Sequence, residues 1–258
     1  MKWIYIFTFL ISSSLFSQEL VATASFPLAA SSFIGVDGYG NTYAIDNGVL
    51  HKTGPVQDFG FTDFSLGPIS TVDIINPLKI VVFYESTNTV VFLDNKLNEI
   101  ERLLLTNNPE LATVSAATNA GNNRLWLFNT NTQQLELFNF RTTTSTTISQ
   151  PFPGKFIAMA SNFNYCYILT EKSLRSFNRY GSLLAEIPSE GFKSVFLSDD
   201  TCVALSKSGL YFLNKGAFKL LKLPPSKNSI KDLYLSQEFI YIYDGKSVHT
   251  FSLTQPKK

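Results

Sequence analysis

The stretch VVFYESTNTVVFLDNKLNEI, Val81 to Ile100, decides how this chain folds. Val81 to Tyr84 are apolar, β-branched or aromatic, the types that suit a packed pleated surface. Glu85, Ser86, Thr87 and Asn88 are turn formers. Thr89 to Leu93 repeat the first run, a second polar turn follows, and Glu99 opens a third strand. Alternation within Thr89-Val90-Val91-Phe92-Leu93-Asp94 supports strands packed on both faces. No segment longer than about ten residues holds a helical period.

The pattern recurs. Related units begin near Phe33, Ser70, Ala112, Phe156, Lys193 and Lys231. Each has an apolar strand, a polar turn, a returning strand rich in aromatic and β-branched residues, then a short turn and a third strand. Equivalent positions in the first strands are Val36, Val72, Val114, Met159, Val195 and Leu233, spaced 36, 42, 45, 36 and 38 residues apart. Units of about 40 residues, each of three or four strands, have the period of propeller blades. The fold expected is therefore all-β, a six-bladed β-propeller. Glu99 to Leu105 reads as the outermost strand of its blade. The last unit holds three strands, near Asp232–Leu235, Phe239–Tyr243 and Ser247–Leu253, and Leu20 to Phe26 can supply the fourth. Pairing of this N-terminal strand with the C-terminal blade would close the ring and leave no large open edge.

GVDGYGNTYAID, Gly35 to Asp46, is similar to the NHL-type repeat, which reads roughly apolar–Asp–Gly–Asn–apolar–aromatic–apolar–Asp. NTVVFLD, Asn88 to Asp94, looks like the next part of such a unit. The chain thus resembles NHL/TolB-type repeat proteins, in pattern over all six units and in residues over the first two. The resemblance implies a propeller and leaves activity open, because propellers host many unrelated functions.

Composition agrees with exposed loops on a large β core. Of 258 residues, 45% are hydrophobic, 14% aromatic and only 16% charged. The chain starts MKWIYIFTFLISSSLFSQEL: a lysine, an apolar run too short to span a bilayer, and a small Ser17 before Gln18. Residues 1–17 are expected to be a secretory signal peptide and 18–258 the mature propeller domain. No other run is long and apolar enough to span. The expected location is extracytoplasmic: periplasm, outer-membrane-associated or secreted.

Chemistry-bearing residues are few. His51 and His249 fall in third strands of the first and last units, short of the three or four ligands a metal site needs. Turns between second and third strands could face the channel mouth, and they carry Asp46, Glu85 and Asp244, candidate ligands for calcium. That arrangement would suit a lactonase-like hydrolase, the alternative to a protein without catalysis. Cys166 and Cys202 each lie seven residues after their unit's reference position, so they occupy equivalent places in adjacent blades. Stacked sheets about 10 Å apart exceed disulfide reach, and two buried free thiols are expected. Tyr84 and Trp126 are candidates for a carbohydrate-stacking surface, with a core position for Trp126 the competing assignment. No nucleophile elbow and no phosphate-binding glycine loop is present. A formal net charge of +1 without a basic run argues against nucleic acid.

Charge is nevertheless uneven along the chain. Residues 18–150 carry six Lys or Arg against twelve Asp or Glu, and residues 151–258 carry fourteen against eight. In a ring of blades, sequence halves are spatial halves, and such a field can orient docking. The function expected is an exported, non-enzymatic interaction or envelope scaffold module without a cofactor. Its partner would be a protein or outer-membrane component met by Lys207, Lys215, Lys219 and Lys222.

Overall fold

The computed structural model describes residues 20–221, 223 and 230–253. The leader expected at 1–17 and the candidate Lys222 lie outside them. Strand β1 (Leu20–Pro27) opens the described chain. Blade 1 consists of β2 (Ser32–Val36), β3 (Thr42–Asp46), β4 (Val49–Thr53) and β5 (Asp58–Phe61). Blade 2 consists of β6 (Thr71–Asp73), β7 (Ile80–Tyr84), β8 (Thr89–Leu93) and β9 (Glu99–Leu104). Blade 3 consists of β10 (Val114–Gly121), β11 (Arg124–Asn129), β12 (Gln134–Asn139) and β13 (Thr144–Thr147). Blade 4 consists of β14 (Phe156–Ser161), β15 (Tyr165–Thr170), β16 (Ser173–Asn178) and β17 (Leu183–Pro188). Blade 5 consists of β18 (Phe192–Ser198), β19 (Thr201–Ser206), β20 (Gly209–Asn214) and β21 (Ala217–Leu220). Blade 6 contributes β22 (Asp232–Leu235), β23 (Phe239–Tyr243) and β24 (Ser247–Leu253).

Strands in each sheet pair antiparallel in chain order, except in the sixth, whose order is β1-β24-β23-β22. There β1 pairs with β24 from Leu20 opposite Leu253 to Pro27 opposite Ser247, with an irregularity between Ala22 and Ala24. First strands touch around an axis from β6 through β10, β14, β18 and β22 to β2. The chain is a six-bladed β-propeller.

The core lies between blades, and this explains the composition of the strands. Six apolar clusters fill the six seams. Strands β7 and β8 are buried at every position because both of their faces meet a neighbouring blade. The outer β9 and β17 are mostly exposed, since each borders solvent. Trp126 is fully buried in the seam between blades 3 and 4, and Tyr84 in that between blades 1 and 2. The stacking surface considered for these two rings is thereby ruled out: burial of their large apolar area in the seams leaves no ring face for a sugar.

The thinnest seam joins blades 6 and 1. Its buried members are Phe33, Tyr243 and Val248, with Tyr234 and Tyr241 half-buried beside them. The Tyr243 hydroxyl donates to the Ala30 carbonyl at 2.8 Å, and the Phe33 N–H donates to Asp232 Oδ2 at 2.9 Å. Gly35 lies directly under the Tyr234 ring: a methyl there would sit 2.5–2.7 Å from Cδ2, Cε2 and Cγ.

Short polar side chains shape the turns. Asp94 Oδ1 accepts from the N–H of Lys96 and Asn98, Asn178 Oδ1 from Tyr180 and Ser182, and Asp37 Oδ1 from Tyr39 and Asn41. Such side chains imitate a backbone turn and tolerate the left-handed region. Because strands alternate in direction, second-to-third-strand turns and blade-to-blade loops emerge on one face, here the upper. First-to-second and third-to-fourth turns emerge on the lower face.

Candidate functional site

A cavity of about 460 Å³ opens where the first strands of blades 2, 3 and 4 converge near the upper face. Thr71, Ser115, Thr118 and Thr130 line it with hydroxyls, Ala116 and Phe156 to Met159 with apolar surface, and Glu85 and Lys155 with opposite charges. Two hydroxyl pairs tie its walls. Ser115 meets Thr130 at 2.6 Å within blade 3, and Thr118 meets Ser161 at 2.7 Å across to blade 4.

The three carboxylates proposed as metal ligands all stand on upper turns, but on different blades. Glu85 lines the cavity and is exposed. Asp46, in blade 1, accepts from Ser31 Oγ at 3.1 Å and Asn47 Nδ2 at 2.9 Å. Asp244, in blade 6, accepts from the N–H of Lys246 and Ser247 at 2.8 Å each. Its other oxygen lies 3.0 Å from His249 Nε2. Among the described residues, no three His, Cys, Asp or Glu side chains converge with metal-holding geometry. His51 stands exposed on β4, opposite Ala44, whereas His249, on β24, lies opposite Ser25.

Of the expected docking lysines, Lys207 and Lys215 stand on opposite faces. Lys207 is on the upper turn of blade 5 and Lys215 on its lower turn, at opposite ends of β20. At about 3.3 Å per residue they are some 20–25 Å apart. Lys219 lies on the outer strand β21, opposite Phe212.

Cys166 and Cys202 are free and buried. Cys166 packs with Trp126 and Phe128 of blade 3, and Cys202 with Leu169 and Leu174 of blade 4. Each therefore points to its preceding blade, with a full sheet between the sulfurs. Burial raises both thiols, Cys202 to about 12, so neither is a ready nucleophile.

Sequence reading missed Asp73. Its Oδ1 accepts from the Ile75 N–H at 2.8 Å, and its Oδ2 from the Asn119 N–H of blade 3 at 2.7 Å. The carboxylate is enclosed although the residue keeps some exposure, and burial raises it to about 6 against the pull of those two donors. Sequence reading also missed the lower face. Six turn or loop residues among the described chain are large, apolar and exposed, and five stand there: Tyr39 (73%), Val56 (97%), Leu78 (61%), Phe163 (39%) and Tyr180 (79%). Phe64 is the sixth, on the upper face. Aromatic residues inside the otherwise polar turns DGYGN, NFN and NRYGS were the available signal.

No family model matches the chain, and no curated protein sequence matches it. Solved structures do. The virginiamycin B lyase of Staphylococcus aureus aligns with 89% of this chain and 99% of its own at 9% identity, TM-score 0.59. BamB of Moraxella catarrhalis aligns with 90% of this chain and 99% of its own at 11% identity, TM-score 0.51. PorZ, an essential bacterial surface component of the type IX secretion system of Porphyromonas gingivalis, aligns over 90% of this chain at 14% identity, TM-score 0.54; the match spans 39% of PorZ. The likeness is one of fold. It agrees with the NHL/TolB-type pattern read from the repeats, and it spans both a lyase and a secretion-system component. Among the described residues no helix is long and apolar enough to cross a membrane.

Proposed function

We propose that this protein is an exported, non-enzymatic β-propeller, a protein-interaction or scaffold module of the cell envelope that docks its partner on the lower face. The observation that carries this reading is the set of exposed apolar side chains on that face, Tyr39, Val56, Leu78, Phe163 and Tyr180. Protein interfaces concentrate aromatic anchors, and tyrosine is prominent among residues that dominate binding energy. They stand on turns of blades 1, 2 and 4, so the partner envisaged spans the face and covers several separate anchors at once. The leader-like first 17 residues support export, and the fold shared with PorZ supports an envelope setting by analogy. In this reading Lys215, on the same face, and Lys219 beside it add attraction for an acidic partner, and no metal or cofactor is resident.

The test is crosslinking and pull-down from envelope extracts with the mature chain and with Tyr39→Ser/Val56→Ser/Tyr180→Ser, a variant whose changes lie at the three most exposed of these turn positions. Partner recovery is expected to fall at least about tenfold, the equivalent of one lost anchor at ~1.4 kcal/mol. Lys215→Glu/Lys219→Glu is expected to lower recovery in a salt-dependent way. An unchanged partner profile with the triple variant overturns the reading.

A further inference from the structure

The upper face is electrically divided. In blades 1 to 3 its turns and loops carry Asp46 at the end of β3, Asp63, Glu85 and Glu110, and no lysine or arginine. Among the described residues, only Asp63 of these four is held in an ion pair, with Arg102 of β9 at 2.8 Å. Among the described residues of blades 4 to 6 the same face carries six exposed lysines, 155, 172, 193, 207, 231 and 246, against Glu171, Glu190, Asp244 and the half-buried Asp232. The dividing line runs from the seam between blades 3 and 4, past the axis, to the seam between blades 6 and 1. Those seams are diametrically opposite in a six-membered ring.

A face laid out this way complements itself. A rotation of 180° about the dividing line sets a second copy face to face, with its blades 6, 5 and 4 over blades 1, 2 and 3. Asp46 then stands over the turn of Lys246, Glu85 over that of Lys207, and Glu110 over the blade 4–5 seam that carries Lys193. The symmetry repeats each pair, so three kinds of contact become six. Twofold pairing of this kind is the commonest closed arrangement of soluble oligomers. We propose that the upper face is a self-association surface whose partner is a second copy of this chain, joined across a twofold axis by its acidic and basic halves. The pairing would close the upper cavities against each other and turn both lower faces outward, making the module bivalent toward partners. It does not depend on the docking reading, since its residues lie on the opposite face.

Attraction between exposed charges is weak per pair and screened by salt, so the dimer is expected to be reversible and salt-sensitive. Sedimentation velocity of the mature chain at up to about 100 µM, in ~50 mM and ~500 mM salt, reads it directly. The wild type is expected to dimerise at low salt and to weaken at least about tenfold at high salt. Glu85→Lys and Lys207→Glu, each alone, are expected to weaken the dimer at low salt. Combined in one chain they restore the pair with its signs exchanged, and recovery of the dimer separates lost pairing from misfolding. A wild type that stays monomeric at low salt, a dimer indifferent to salt, or a double variant no better than the singles overturns the proposal. Partner capture by the lower face is scored separately and stands or falls with the tyrosine variants.

Discussion

Gly35→Ala probes the ring where it is thinnest. The new methyl would lie 2.5 Å from Cδ2 of Tyr234, roughly 1 Å inside ordinary carbon contact. The ring cannot simply retreat. Tyr241 packs against it with centroids 6.2 Å apart, and its backbone belongs to β22, the first strand of blade 6. Overpacking a filled site costs about 1–3 kcal/mol. Gly35 also sits at a φ of 157°, which is awkward for a residue with a Cβ and adds about 1 kcal/mol. The expected loss is therefore about 2–4 kcal/mol, read as a lower urea midpoint with an unchanged slope. Tyr234→Ala alone is expected to lose about 3 kcal/mol through the cavity it leaves. In that background the methyl has room, and Gly35→Ala should lose only the backbone part, a coupling of about 1–3 kcal/mol. Strict additivity of the two substitutions refutes the claim that this contact seals blade 6 to blade 1.

The remaining predictions concern titration, thiols and the terminal strand. Folding raises the Asp73 carboxyl to about 6, so the folded state holds this proton more tightly than the unfolded chain does. Its stabilising contribution is complete below the unfolded value of 3.8 and is lost as pH rises through 6, a change of about 3 kcal/mol. Thermal melts of wild type and Asp73→Asn from pH 4 to pH 7 should show wild type losing about 2 kcal/mol to the variant, most of that total, and a constant gap contradicts it. Cys166 and Cys202 should be inert to an aromatic disulfide reagent in the native protein and titrate as two thiols in denatured, unreduced protein; finding none means a disulfide. Deleting residues 20–27 strips β24 of its outer partner and should lower stability by ~3–5 kcal/mol. A melting point lower by about 10 °C in one cooperative transition is expected, whereas fraying confined to one end would show β1 to be ornamental.

Much of the architecture was legible because it is local chemistry repeated. The alternation in Thr89–Leu93, the Asx turns after Asp94 and Asn178, and the spacing of the first-strand positions each depend on a few neighbouring residues. Their recurrence at about 40 residues leaves little but a propeller. The seven-residue offset shared by Cys166 and Cys202 carried over directly, since equivalent strand positions face the same way. The candidate sites were less legible. Asp73 looks like any strand-end acid until blade 3 supplies the Asn119 N–H, 46 positions away. Tyr84 and Trp126 are amphipathic on paper, and only the neighbouring blade decides that they are core.

The division of labour follows from strand direction. Side-chain alternation and turn propensity are encoded over a handful of residues, so the chain by itself determined the strands, the turns, the number of units and the uneven charge of its halves. Which turns share a surface depends on all the blades facing the same way round one axis, a relation between residues tens to hundreds of positions apart. Only that closed ring gathers Tyr39 and Tyr180 on the lower face and sets Glu85 and Lys155 at one cavity.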